Sequence, residues 1–193
     1  MRIGLLPLVL IAGCTGQAGQ AVPQPTTAPR PAVHVTTPAQ TPRPEPDEPP
    51  AVTSGPEMGT WWQRACDLLD DVTARQIGIE GEATGDRGSD IRASCVRTAG
   101  GQRLEYELFT LDSMFYQPYA SQRQWRYYAT AAVGEQPTGV FSEEAVPSTE
   151  CMVVVGLNPD SSIRVALHAD KDPEICGRAL ATAEAIVVKI TAG

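Results

Sequence analysis

The sequence is short of the residues and motifs on which most enzyme chemistry depends. It has two histidines in 193 residues, and no Cys-x-x-Cys pair or Cys/His cluster occurs among its five cysteines. A zinc site is therefore not expected, and no other metal or cofactor is predicted. Neither a glycine-rich phosphate loop nor a nucleophile-elbow motif is present. The sequence therefore predicts a protein that is not an enzyme.

Positive charge is scarce as well. Lysine and arginine number 15 against 23 aspartate and glutamate residues, which gives a net charge of -8 at pH 7. Nucleic acids and anionic lipid headgroups attract basic surfaces, and a chain this acidic offers them no general attraction. We therefore expect no nucleic-acid partner.

The amino terminus has the layout of a bacterial lipoprotein signal. A short positive segment is followed by an apolar run at residues 3–11, and Ala12-Gly13 precede Cys14. The run has about nine residues, whereas a membrane-spanning helix needs about 20. We predict that residues 1–13 are a signal peptide and that Cys14 carries acyl chains such as palmitate. These chains would anchor the protein at the extracytoplasmic face of the cell membrane. The alternative is an ordinary signal peptide with a chance cysteine.

Residues 14–57 have the composition of a spacer. Eleven of the 17 prolines lie between positions 23 and 56, with threonine, alanine and glutamine between them. Because large apolar side chains are almost missing, this segment cannot bury enough surface to offset its chain entropy. Proline also blocks helices and sheet ladders. We expect a disordered tether in which His34 is solvated. A second interpretation is that its Pro-x-x-Pro patterns bind a partner.

The cysteine count points to disulfides. If Cys14 is lipidated, four cysteines remain in an exported domain, and an even number there favours two disulfide bonds. The residues alone allow three connectivities. The four are Cys66, Cys95, Cys151 and Cys176.

Residues 58–193 are patterned as one folded domain, which opens with a short helix. Asp70-Asp71 are typical caps for a helix over residues 72–77, and Gly78 is expected to end it. Several glycines among charged residues then predict a loop over residues 79–89.

Alternating apolar and polar residues predict two β-hairpins. The first turns at Gly100-Gly101 and places Cys95 on its buried side. The second joins residues 151–157 to residues 162–168, and its first half is apolar without interruption, which is typical of a central strand covered on both faces. A short strand is also expected at residues 139–141.

Two further helices complete the predicted fold. One begins near Ala120 and carries Trp125 and Tyr128 on one side. The last element has Asp172 as its expected N-cap and Pro173 at its first position. The apolar residues of this helix recur at helical spacing and are Ile175, Ala179, Ala183, Ile186, Val187 and Ile190. Together these elements predict an α+β domain, with an antiparallel twisted sheet of about five strands and the C-terminal helix packed on it.

The candidate binding surface is the aromatic stretch that contains Trp125, Tyr127 and Tyr128. Aromatic side chains line ligand clefts, but they also fill cores, so packing inside the domain is the alternative interpretation. His168, which precedes Asp170 and Asp172, is a candidate base or metal ligand. Its strand parity and the capping role of Asp172 favour a structural role instead.

The combination of these motifs resembles an actinobacterial lipoprotein family called domain of unknown function 3558. The motifs that carry the resemblance are the lipobox, the Pro/Thr-rich spacer, Cys66-x-Leu68-Leu69 leading to Gly78, Cys95 in a first strand, Cys151-Met152-Val153-Val154, and Asp172-Pro173-x-x-Cys176 with Ala179 and Ala183. The resemblance covers residues 58–190, and it implies a lipid-anchored surface protein without an established reaction. It also implies the disulfide pairs Cys66–Cys95 and Cys151–Cys176. One position departs from the family, which often has an aromatic residue where this chain has Arg97.

Three functions fit these features. The first is a tethered module that binds or senses a cell-wall component, a lipid, a small ligand or a membrane protein. The second is a structural or accessory subunit of a cell-envelope complex. The third, a cell-wall hydrolase, requires His168 beside a serine hydroxyl or clustered carboxylates.

Overall fold

The strands in the part of the chain that the structure describes form one antiparallel sheet of seven members. The computed structural model describes residues 49–89, 91–110, 113–121 and 124–193. The predicted signal peptide, Cys14 and the tether up to residue 48 lie outside these described residues. The strands are β1 Ala83–Ser89, β2 Arg92–Ala99, β3 Gln102–Phe109, β4 Tyr127–Val133, β5 Gln136–Ser142, β6 Glu150–Asn158 and β7 Ser161–His168. Their order across the sheet is β1-β2-β3-β7-β6-β5-β4.

Among the described residues, three α-helices accompany the sheet. They are α1 Asp71–Gln76, α2 Ser113–Ala120 and α3 Ile175–Ala192, and two 3-10 helices, Gly59–Gln63 and Ala65–Leu68, precede α1. Helix α3 lies against β6 and β7, whereas α2 contacts the same two strands from the opposite face of the sheet. None of the helices in the described residues has the length and apolar character that crossing a membrane requires.

The main core lies between the sheet and α3. All six apolar residues that predicted the last helix are buried, so its core-facing stripe is confirmed. Facing them are the inward residues of the central strands, which are Leu104, Tyr106, Leu108, Val153, Val155, Ile163, Val165 and Leu167. The α+β class and the packed C-terminal helix are thus confirmed, with seven strands in place of about five.

Both predicted hairpins are confirmed. The β2–β3 turn uses Gly100 and Gly101 at φ of 54° and 79°, a left-handed conformation that favours glycine. Cys95 is fully buried, as its parity predicts. The β6–β7 turn is closed by Asn158, whose side-chain oxygen accepts a hydrogen bond from the Asp160 amide at 3.0 Å.

Two segments differ from their sequence-based predictions because strand pairing overrides local signals. The predicted loop at residues 79–89 contains β1, which pairs with β2 through a register that shifts between Asp86 and Ser89. Its glycines accommodate an irregular edge strand. The predicted helix from Ala120 is also wrong, since α2 ends at that residue and Tyr127–Val133 form β4. Aromatic and β-branched residues favour strands, and β5 supplies the pairing partner.

The first helix is confirmed close to its predicted position. The Asp70 carboxylate accepts hydrogen bonds from the amides of Val72 and Thr73 at 3.0 and 2.9 Å. These bonds hold the pKa of Asp70 below its ordinary value. Gly78, at φ of 80°, follows the helix.

Arg97, on β2, holds the segment around α1 against the sheet. Its guanidinium donates to the carbonyls of Leu69 and Gly81 at 2.6 and 2.9 Å and to the carboxylate of Asp71 at 2.8 Å. The side chain is 3 % exposed. A buried arginine therefore occupies the position at which the resembling family often has an aromatic residue.

The last helix begins slightly later than predicted. Asp172 and Pro173 precede it in a turn, and regular α3 begins at Ile175. Asp172 still organises this entry, since its side chain accepts from the Glu174 amide at 2.9 Å and from Nε of Arg178 at 2.7 Å.

Two disulfides tie helical segments to the sheet. Cys66, in the second 3-10 helix, bonds to Cys95 on β2, and Cys151 on β6 bonds to Cys176 on α3. This pairing is the one that the family resemblance implies, and each bond joins elements within one half of the domain.

Candidate functional site

The two faces of the sheet are covered to different extents, and the less covered face is the candidate site. In an antiparallel sheet, residues directly opposite each other share a face. The strand registers therefore place one cross-strand row on the face away from α3, in the order Thr84, Val96, Glu105, Ala166, Met152, Phe141 and Tyr128. Five of these side chains are partly exposed, and we call them the open row: Val96, Glu105, Ala166, Met152 and Tyr128.

Helix α2 and the segment before the first 3-10 helix cover the rest of this face. Val52, Phe115, Tyr119, Phe141 and Val154 form a second, smaller core there. Val52 lies within the predicted tether, yet it is only 9 % exposed. Packing therefore begins before the predicted domain boundary at residue 58.

Aromatic rings border the open row at its β4 end. Trp125 and Tyr128 lie with their ring centroids 5.6 and 5.2 Å from that of the buried Phe141. The indole nitrogen of Trp125 donates to the carbonyl of Pro118 at 3.0 Å, which fixes the ring against α2. Burial, with the neighbouring hydroxyls of Tyr128 and Tyr116, raises the pKa of Tyr119 beneath them. These rings thus pack against one another and against α2, while Trp125 and Tyr128 keep part of their surface exposed.

The three residues of the predicted aromatic surface do not form one surface. Tyr127 packs against the main core on the α3 side, whereas Trp125 and Tyr128 pack against the smaller core on the other side. The cause is the strand conformation of β4, in which successive side chains point to opposite faces. Burial raises the pKa of Tyr127. The candidate surface therefore includes Trp125 and Tyr128 but not Tyr127.

A charged cluster adjoins the open row. Glu107 is completely buried and makes ion pairs with both Arg92 and Arg164. Arg103 pairs with Glu105 at 2.7 Å, and the arginine side chains remain between 34 and 48 % exposed. The planar guanidinium groups have donors left for hydroxyl, amide or carboxylate groups of a ligand.

A cavity of about 310 Å³ lies elsewhere, between the 3-10 helices and β1. Its floor is formed by the small residues Ala83, Gly85 and Ala93, and its walls include Trp62 and the half-exposed Cys66. Arg64 and Asp67 face each other at 3.7 Å among its lining residues. The volume is at the lower end of small-molecule sites, and none of the sequence-predicted binding residues contributes to it.

The residues that the sequence suggested as a base or as metal ligands do not form one site. His168 is exposed at the end of β7, opposite Arg103 on β3 and Glu150 on β6. Asp172 belongs to the entry of α3. Across the described part of the chain, no group of three or more histidine, cysteine, aspartate or glutamate side chains is arranged to hold a metal ion.

The open row itself was not predicted from the sequence. The parity of the hairpins puts Glu105 and Ala166 on the polar side of their strands, but it does not reveal that β3 and β7 are neighbours. Met152 lies in an uninterrupted apolar run, so the sequence does not show which face of the sheet its side chain occupies. The pairing of β3 with β7 and of β5 with β6 is what aligns these residues.

Comparisons with protein-family models, curated proteins and solved structures find no match for this chain. The resemblance described above therefore stays a prediction.

Proposed function

We propose that this protein is a lipid-anchored, extracytoplasmic binding module that uses the open row to hold a partner of the cell envelope. The observation that carries this proposal is the open row, which is partly exposed from Val96 to Tyr128 and is bordered by Trp125 and by exposed arginines. Apolar and aromatic side chains supply contact area, while the arginines supply directional hydrogen bonds. A row that runs across several strands fits an extended partner, such as a cell-wall polymer or a protein surface.

Site-specific photocrosslinking tests this surface in the cells that produce the protein. A photoreactive side chain replaces Met152 in the open row, and the control replaces Val188, which is 61 % exposed on α3. We expect covalent adducts from position 152 and none from position 188. Equal adduct yields at the two positions, or no adduct at position 152, would contradict the proposal.

A second candidate function is an accessory subunit of an envelope complex. It is favoured by the position of the cavity, which lies on a different part of the domain from the open row. The chemical identity of the adducts formed at position 152 distinguishes this function from ligand binding. A single protein partner recovered from position 152 indicates a subunit, whereas a polysaccharide or lipid adduct indicates ligand binding.

The anchor is tested separately through Cys14. Replacing its sulfur by oxygen in Cys14→Ser removes the atom that would carry the diacylglycerol, so we expect the variant to leave the membrane fraction. The neighbouring Thr15→Ser substitution is the matched control and should leave the protein membrane-bound. Retention of Cys14→Ser in the membrane fraction would refute lipid anchoring.

A further inference from the structure

The sheet has two edge strands, and they differ in the features that prevent edge-to-edge pairing. On β1, the register with β2 shifts between Asp86 and Ser89, as it does at a β-bulge. Charges and bulges are the usual means by which proteins protect an exposed edge. Strand β1 is therefore protected against the addition of another strand.

Strand β4 has none of these protections. Its sequence from Tyr127 to Val133 contains no charged residue, proline or glycine. It pairs with β5 without a register shift from Tyr127–Ser142 to Val133–Gln136. Within the described residues, β5 is the only strand that neighbours β4. An edge of this kind presents backbone donors and acceptors to an incoming strand.

The chemistry of β4 fits a second copy of the same strand. Thr130 and Ala132 are exposed, and their small side chains allow another sheet to approach. The strand is flanked by the exposed charges Arg126 and Glu135. Antiparallel pairing of two copies brings the Arg126 end of each strand to the Glu135 end of the other, so opposite charges meet. Parallel pairing would bring like charges together.

We propose that two copies of this protein associate through antiparallel pairing of their β4 strands. A two-fold axis near Thr130 then joins the two seven-stranded sheets into one continuous sheet. Because this axis is perpendicular to the sheet, both open rows lie on the same side. Association by this edge does not depend on the lipid anchor or on what the open row binds.

Sedimentation of the full chain in mild detergent tests the proposal. We expect the wild-type protein to sediment as a dimer that dissociates on dilution. Thr130→Lys places two positive charges opposite each other at the axis and should raise the dissociation constant at least about tenfold. The matched control is Thr84→Lys on the protected edge, which should leave the dissociation constant unchanged. A wild-type chain that is monomeric throughout the dilution series would overturn the proposal, as would a Thr130→Lys variant that dimerises like wild type.

Crosslinking checks the geometry independently of any loss of affinity. Thr130→Cys places a thiol at the proposed axis, and Thr84→Cys places one on the other edge. With a short bismaleimide, we expect dimer-sized product from Thr130→Cys and none from Thr84→Cys. Product from both variants, or from the second alone, would refute pairing through β4.

Discussion

At the scale of single residues, two buried ionic groups hold parts of the domain together in different ways. Arg97 fastens the N-terminal helical segment by bonding to two backbone carbonyls that no sheet ladder satisfies. Glu107 joins β2, β3 and β7 through its pairs with Arg92 and Arg164. A buried charge that loses its partner lowers the stability of the folded protein. We therefore expect substitution of either residue to destabilise the domain.

Replacing Arg97 by methionine should destabilise the protein by about 3 kcal/mol, because the carbonyls of Leu69 and Gly81 lose their donor inside the domain. The loss is measured as the change in the free energy of unfolding by urea. Arg75→Met on the exposed face of α1 is the control, and it should change stability by no more than about 0.5 kcal/mol. Equal effects of the two substitutions would show that Arg97 does not fasten this segment.

Glu107→Gln should destabilise the protein by about 3 kcal/mol, since it leaves two arginines beside a neutral amide at a fully buried position. Glu105→Gln, two residues away on the same strand and 19 % exposed, should cost less than about 1 kcal/mol. Urea unfolding of both variants measures the difference. The interpretation fails if Glu105→Gln is the more damaging substitution.

At the scale of elements, the Glu144 carboxylate joins two loops of the C-terminal half, and the two disulfides join helical segments to strands. Glu144 accepts hydrogen bonds from the amides of Ser148 and Thr149 at 2.6 and 3.0 Å and from the Thr149 hydroxyl at 2.7 Å. The carbonyl of Ser148 then accepts from the Asp172 amide at 2.7 Å. The β5–β6 loop is thereby joined to the turn that leads into α3.

The Glu144 loop should be sensitive to acid. Its hydrogen bonds to Thr149 and Ser148 lower the pKa of Glu144 to about 2 from its ordinary value of 4.5. The carboxylate therefore stabilises the fold fully above pH 4.5, and this stabilisation is lost as the pH falls from 4.5 towards 2. We expect Glu144→Gln to be less stable than wild type at neutral pH and the gap to close across this range.

Urea unfolding at a series of pH values measures that gap. Glu143→Gln, which changes the exposed neighbour, is the control and should show no such closing gap. A stability difference for Glu144→Gln that stays constant from pH 6 to pH 2 would contradict the role of the charged loop.

Each disulfide should contribute about 3.5 kcal/mol, since the two bonds close loops of similar length and this gain arises from restricting the unfolded chain. The sequence separations are 29 residues for Cys66–Cys95 and 25 for Cys151–Cys176. The Cys66→Ala/Cys95→Ala and Cys151→Ala/Cys176→Ala double variants should lose similar amounts of stability. A loss confined to one of the two variants would show that chain entropy is not the main contribution.

The elements that sequence reasoning predicts well are those whose signals are local. The Gly100-Gly101 turn, the Asp70 cap and the apolar stripe of α3 each follow from a few neighbouring residues. Strand β1 was missed because its pairing with β2, and not its glycine-rich composition, makes it a strand. Strand β4 was missed because its aromatic residues were assigned to a helix, although aromatic and β-branched residues also favour strands. Edge strands bury less than central ones, so their apolar pattern is weak.

At the scale of the whole molecule, the open row depends on strand order, which local patterns do not contain. It is formed by strands that are distant in sequence, such as β3 and β7, and it lies opposite the face that α3 covers. The described chain begins on the same side of the sheet as the open row, where Val52 packs near Phe115.

Hydroxyl-radical labelling of Met152 tests the binding role of the open row most directly. The side chain is partly exposed on β6 and lies away from both sheet edges. Labelling is compared between the protein in intact cells and the purified full chain, with Trp61 and Trp62 on the opposite side as internal references. We predict that Met152 is labelled several-fold less in cells while the two tryptophans are unchanged. Equal labelling of Met152 in both states would contradict the proposal that the open row holds a partner.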